Sequence, residues 1–235
     1  MVNLGIIDCL IKEPGLYMIA GVTGVGKSRF VTNMIEDFNT RNNEKRSVYC
    51  YSSEKNSQLL GKADQTKIIN LSLLPCSTGH IMLEALWEYE DNGLSLIVVD
   101  DYRFLLRSEF YFYNNRYSKK ERLVCILTRL KIMSEIFNIP VILTSGVDDD
   151  YIYGRKEKIP KISDIPDGKF IKPLIDKFIL LYREEMYDQN TDKKHLMECR
   201  LYEPVDKRIT DYLYVCHPEI TRYVEVSEGC RKDYV

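Results

Sequence analysis

Eight residues, Gly21-Val22-Thr23-Gly24-Val25-Gly26-Lys27-Ser28, have the types and spacing of a phosphate-binding loop. Such glycines let the backbone curl until successive N–H groups point inward at an anion, and a helix starting at the loop adds its positive end. Lys27 supplies a point charge for the β and γ phosphates, and Ser28 offers a hydroxyl to Mg²⁺. The predicted ligand is ATP with Mg²⁺, held by the run from Gly21 to Arg29.

The metal also needs a carboxylate, placed at the end of a neighbouring apolar strand. Leu96-Ile-Val-Val-Asp100 has that form, and Asp101 follows it directly. Asp100, the first acid after the apolar run, is the better choice, with Asp101 as the alternative. Attack by water requires a group that orients and deprotonates it. Glu54, just past the apolar run Val48-Tyr-Cys-Tyr51, is the candidate.

These residues must be gathered by a sheet. Leu16–Ala20 reads as a strand set off by Pro14-Gly15. A helix follows over residues 27–40, and Ser47–Tyr51 reads as a second strand. Residues 79–91 read as a helix with Ile81, Leu83, Leu86 and Trp87 on its apolar side. Leu94–Val99 is nearly all apolar, as a strand covered on both faces should be. A long helix over 118–137 buries Leu123, Ile126, Leu127, Leu130, Met133 and Ile136, and Pro140 leads into the strand Val141–Thr144. Later strands are expected at 177–182, 195–202, 212–216 and 221–226. The order predicts an α/β fold whose mostly parallel sheet, flanked by helices, ends in antiparallel strands. Ligands in such sheets bind outside the carboxyl ends of the strands, where Glu54, Asp100 and the glycine loop meet.

The bulk properties leave this reading intact. A 235-residue chain with 45% hydrophobic and 29% charged residues is long enough for a proper core, and no break divides it into two domains. The net charge of −2 argues neither for nor against nucleic acid. No apolar run suits a membrane span and no leader pattern is present, so a cytoplasmic protein without membrane partners is expected. Seven scattered cysteines without a Cys-x-x-Cys pair predict reduced, mostly core thiols, and His80, His195 and His217 lack metal-ligand spacing.

The order and wording of these segments resemble the ATPase domain of DnaB-type replicative helicases, in the RecA-like P-loop superfamily. The resemblance covers about residues 15–204. Ser52-Ser53-Glu54 matches the family's Ser-x-Glu, whose Glu activates water, and Leu96–Asp100 is similar to its magnesium strand. Asp176-Lys-Phe-Ile-Leu-Leu-Tyr-Arg-Glu-Glu-Met-Tyr187 is very similar to the family's Asp-Ala-Asp-x-x-x-x-x-Tyr-Arg-Asp-Glu, and adds Arg183 to the nucleotide-binding set. The resemblance implies a RecA-like fold and ATP hydrolysis coupled to single-stranded DNA, with replication proteins as partners.

There are departures. The family's fourth strand ends Leu-Ser-Gln, whose Gln senses the γ phosphate, whereas Ser145 here precedes Gly146. Where the family carries a Lys and an Arg that reach the next subunit's ATP, this chain has Cys199-Arg-Leu-Tyr-Glu-Pro204, leaving Arg200 as trans-acting candidate only if the strand slips by one residue. About fourteen residues precede the first strand, which implies a core without the family's N-terminal domain and linker helix. Two readings follow: a helicase core working in a hexamer-like ring of copies, or an ATP-binding regulator or loader with weak or no hydrolysis. A small-molecule kinase is a third, but no stretch supplies its Arg-rich lid.

Two segments are candidates for nucleic acid, since basic residues track phosphates while aromatic faces stack on bases. Residues 102–122 carry six basic residues against two acidic; Arg103, Arg107, Arg116, Lys119 and Lys120 are the candidates there. Residues 153–172 carry six against three, with Arg155, Lys156 and Lys158 foremost. The competing reading packs Phe104, Leu105, Phe110 and Phe112 on the core and leaves the lysines as a solvated face.

Overall fold

A computed structural model describes residues 10, 13–41, 46–51, 66–71, 77–106, 117–148, 150, 152, 154–216 and 223–226. The first half alternates strand and helix: β1 (Gly15–Gly21), α1 (Lys27–Arg41), β2 (Arg46–Tyr51), β3 (Thr66–Asn70), α2 (Thr78–Asn92), β4 (Leu94–Asp100), α3 (Lys119–Phe137) and β5 (Pro140–Gly146). A short helix α4 (Gly168–Ile171) and single 3₁₀ turns lead to β6 (Lys177–Tyr182). Strands β7 (Leu196–Glu203), β8 (Arg208–Val215) and β9 (Val224–Glu225) follow.

All nine strands form one sheet in the order β3-β2-β4-β5-β1-β6-β7-β8-β9. The pairs from β3 through β6 are parallel, and those from β6 to β9 are antiparallel. β1, β4 and β5 are buried at every residue, because helices cover both faces of the central sheet. α1 packs on β1, β2 and β4, while α2 and α3 pack on each other. The chain steps from β1 to β2 in one direction across the sheet and returns through β4 to β5. Right-handed crossovers therefore put α1 on the face opposite α2 and α3.

The strands match their expected places, with one addition and one extension. β3 was not expected: Thr66-Lys-Ile-Ile-Asn70 has only two apolar residues, which suits an edge strand. β8 starts at Arg208, four residues before its expected start, because Arg208–Asp211 alternate on a half-exposed surface and show no apolar run.

Two helix faces need correction. On α2, Leu83 and Trp87 are 55% and 61% exposed, while Thr78, Ile81, Ala85 and Glu88 are buried. On α3, Ile136 is exposed and Phe137 is buried in its place. The start of α3 is fixed by a capping box between Ser118 and Glu121, and its end by Asn138 in the left-handed conformation. Asp176 ties the frame together: it accepts from the Leu16 N–H at 2.9 Å and pairs with Lys131 at 2.7 Å.

Of the described cysteines, Cys50, Cys199 and Cys216 are buried and Cys125 is exposed. No helix among the described residues is long and apolar enough to cross a membrane.

Candidate nucleotide site

The glycine loop sits where β1 ends and α1 begins. Gly24 and Gly26 adopt φ of 84° and 107°, a region that side-chain-bearing residues rarely enter. Val22 and Val25 are buried beneath the loop, whereas Thr23 and Gly24 are exposed. The Val25 N–H donates to the Val22 carbonyl at 3.3 Å, and the Phe30 N–H donates to Gly26 O at 2.9 Å, opening the helix. The Lys27 ammonium lies back along the loop and donates to the Gly21 and Val22 carbonyls, each at 2.9 Å. Ser28 is half-buried in the first turn of α1.

A residue far away in sequence holds the loop from behind. Tyr223 is fully buried and packs its ring edge-on against Phe30, with centroids 5.6 Å apart. Its hydroxyl donates to Gly26 O at 3.3 Å, and its N–H donates to Asn33 Oδ1 at 2.7 Å. Burial and the nearby Cys216 push the Tyr223 phenol well up, so it is a neutral donor at any ordinary pH.

Asp100 closes β4 at 3% exposure. It accepts from the Tyr49 hydroxyl of β2 at 3.1 Å and from the Thr144 hydroxyl of β5. Two hydroxyls from the flanking strands therefore fix its orientation. Asp101 instead faces the Arg103 guanidinium, which donates to it through Nε at 2.8 Å and through a second nitrogen. Tyr102 between them is buried, and burial with the Asp101 charge pushes its phenol up to about 12.

Beside the loop lies a cleft of about 590 Å³ lined by Arg29, Arg183, Met186, Lys194, His195 and Cys216, among others. A Cβ on Gly24 would stand 3.5 Å from the Met186 methyl, so the cleft borders the glycine loop directly. Arg183 pairs with Glu185, and its buried Nε has no hydrogen-bond partner. Burial raises the Glu185 carboxyl, but the His195 N–H and the Arg183 guanidinium outweigh it and hold Glu185 below its ordinary value. With Arg29 and Lys194 added, the cleft is rich in cations, as a polyphosphate site must be.

The remaining candidates scatter. Arg200 lies on the half-exposed face of β7 and pairs with Asp211 of β8 at 2.8 Å. No register slip brings it elsewhere, since Arg200 opposes Leu180 in a regular β6–β7 ladder. Lys119 pairs with Asp167 at 2.7 Å, and Lys120 lies 4.1 Å above the Phe170 ring. Arg155 serves as a clasp: it holds both Asp164 oxygens at 2.8 Å and donates to the Glu157 and Ile159 carbonyls. A guanidinium so engaged shapes its own loop and has little left for a phosphate backbone. Lys156 is exposed, and Lys158 donates to Ile152 O at 3.4 Å. Leu105 is buried and Phe104 packs on the core, as the competing reading had them. Glu54, Arg107, Arg116, Phe110, Phe112 and His217 lie outside the described residues.

Sequence reasoning did not bring Tyr223, Met186, Lys194, His195 or Cys216 to this site. None of these carries a local motif, since only the long β6–β7 and β8–β9 returns bring them to the loop.

Known proteins resemble the chain both in sequence and in fold. Residues 76–208 match the family model of the DnaB-like helicase C terminal domain. A probable replicative DNA helicase of Trieres chinensis is 26% identical over 221 residues, covering 80% of this chain and 47% of that protein. The replicative DNA helicase DnaB of Pasteurella multocida (strain Pm70) is 31% identical over 109 residues, 46% of this chain and 22% of its own length. The chain thus spans about half or less of the curated relatives it matches. Among solved structures, an ATPase domain superposes with a TM-score of 0.74 at 16% identity, covering 91% of this chain and 85% of that one. A DnaB-like replicative helicase, solved for its interactions with primase, gives 0.74 at 15% identity, covering 92% and 60%. Both likenesses establish the RecA-like fold.

Proposed function

This chain belongs to the DnaB-like helicase C-terminal domain family, and we propose that it binds ATP with Mg²⁺ and hydrolyses it in dependence on single-stranded DNA. The observation that carries the reading is the glycine loop itself. Two glycines with positive φ turn it over the N-terminus of α1, with an ammonium already at its mouth. The loop amides and the helix end bind phosphate oxygens, and Lys27 exchanges two neutral carbonyls for a charged phosphate, a stronger partner. The cleft beside Met186 takes the part of the nucleotide that extends from the loop, with Arg29, Arg183 and Lys194 facing its phosphates. The hydroxyl of Ser28 and the carboxylate of Asp100 are hard oxygen donors of the kind Mg²⁺ takes, and the metal would supply charge neutralisation on the phosphates. Glu54 orients the attacking water in this reading. This reading has it work in the cytoplasm beside replication proteins, as the similar helicase does with primase.

A second reading, an ATP-binding regulator or loader, is favoured by Arg200, which sits in a regular β6–β7 ladder and faces Asp211 of its own chain. One set of measurements decides. ATP·Mg should raise the melting temperature of the wild type and leave Lys27→Ala unmoved; an unmoved wild type refutes nucleotide binding. Turnover stimulated by single-stranded DNA in a ring-sized particle, and lost in Glu54→Gln, supports the motor. Unstimulated turnover in a monomer by light scattering supports the module.

A further inference from the structure

We propose that Arg103 is a phosphate-contacting residue of its own chain, leaving Asp101 to grip the terminal phosphate of a bound nucleoside triphosphate. This rests on the nucleotide reading above and adds a residue to it. The backbone around Arg103 is firmly held. Tyr102 and Leu105 are buried on either side of it, and the Tyr102 N–H donates to the Thr144 carbonyl of β5 at 3.3 Å. The turn after β4 is thereby pulled across the end of β5, and the Arg103 side chain falls on the last residue of that strand. A Cβ on Gly146 would stand 3.1, 3.5 and 3.6 Å from the two terminal nitrogens and the central carbon of the guanidinium. These distances place the guanidinium directly over Gly146, in the space a side chain there would begin to fill.

What lies beside Gly146 gives the placement its meaning. Gly146 is the register partner of Gly21, the first residue of the glycine loop, and the Val147 N–H donates to Gly21 O at 3.2 Å. That same carbonyl accepts from the Lys27 ammonium. Neighbouring strands lie about 4.8 Å apart, so guanidinium and ammonium flank adjacent strand ends, with Asp100 on the next strand over. Two cations converge on the place where the glycine loop delivers the end of a polyphosphate.

The partner holding Arg103 is one it can leave. The Arg103 side chain is 47% exposed against 14% for Asp101, so the guanidinium reaches solvent from its own side of the pair. A tetrahedral phosphate can also offer two oxygens to the guanidinium fork, as a carboxylate does, and carries more negative charge. Arg155, enclosed by a buried carboxylate and two carbonyls, has no such freedom.

The test compares affinities for ADP and for a non-hydrolysable ATP analogue, both with Mg²⁺, in wild type, Arg103→Gln and Arg103→Lys. A lost charge-assisted contact should cut the preference for the triphosphate about ten- to hundredfold in Arg103→Gln. ADP affinity should stay unchanged, and Arg103→Lys should keep part of the preference. Unchanged ADP binding also certifies that the variant is folded. An equal preference in wild type and Arg103→Gln overturns the proposal, as does a loss of single-stranded DNA affinity with the preference intact. A wild type that binds neither nucleotide overturns the nucleotide reading and this proposal with it, and is told apart by the silent wild type.

Discussion

Replacing Gly26 with alanine probes how the phosphate loop is held, because two separable costs meet there. The first is conformational: at φ of 107° a side-chain-bearing residue is strained by about 1–3 kcal/mol. The second is steric: the new Cβ would lie 2.4 Å from the Tyr223 hydroxyl oxygen. That ring is fully buried and wedged against Phe30, so making room costs about another 1–3 kcal/mol, as overpacking does. Removing the hydroxyl separates the two, because the next atom of the ring is 3.7 Å from the same point, an ordinary contact. In a Tyr223→Phe background, Gly26→Ala should therefore keep its conformational cost and shed its steric one. For a chain of this size the difference between backgrounds is about 2–12 °C in melting temperature. Thermal unfolding of the wild type, both single variants and the double variant reads the coupling. Strictly additive shifts would refute the claim that Tyr223 braces the loop.

Two further changes test parts of the surrounding frame. Glu185 titrates below its ordinary value when folded, so its contribution is full above that ordinary value and lost as pH falls through the lower folded one. Glu185→Gln should thus cost about 1–2 kcal/mol near neutral pH, with the gap to wild type closing in acid; a gap independent of pH in denaturant titrations argues against it. Arg155→Ala strands the buried Asp164 and should cost about 3 kcal/mol. Arg155→Lys should recover little of it, because an ammonium cannot make the two-pronged contact, and full recovery in melting temperature would show that charge alone suffices.

Some of this was readable from residues alone and some was not, for physical reasons. The loop was readable because phosphate binding needs glycine, lysine and a hydroxyl at fixed offsets along one stretch of chain. β4 and β5 were readable because strands covered on both faces become unbroken apolar runs. α2 misled because hydrophobicity was taken to mark its buried side. Small or polar residues, Thr78, Ala85 and Glu88, are buried, and Trp87 is exposed. β3 was missed because an edge strand has little to bury. The brace at Tyr223 and the posture of Arg103 are long-range facts that depend on which strand ends the topology sets side by side.

That topology also governs the order in which the molecule can be completed. β1 precedes the other described strands in the chain, yet its two neighbours are β5 and β6, which begin only at Pro140 and Lys177. Pairings so distant along the chain close slowly, since a long loop must be ordered before the contacts reward it. The glycine loop therefore emerges well before β5 and β6, the strands that enclose the one beneath it. Tyr223, its last support, arrives later still. A chain synthesised only as far as α3 would carry the glycine loop without the strands that hold it in shape.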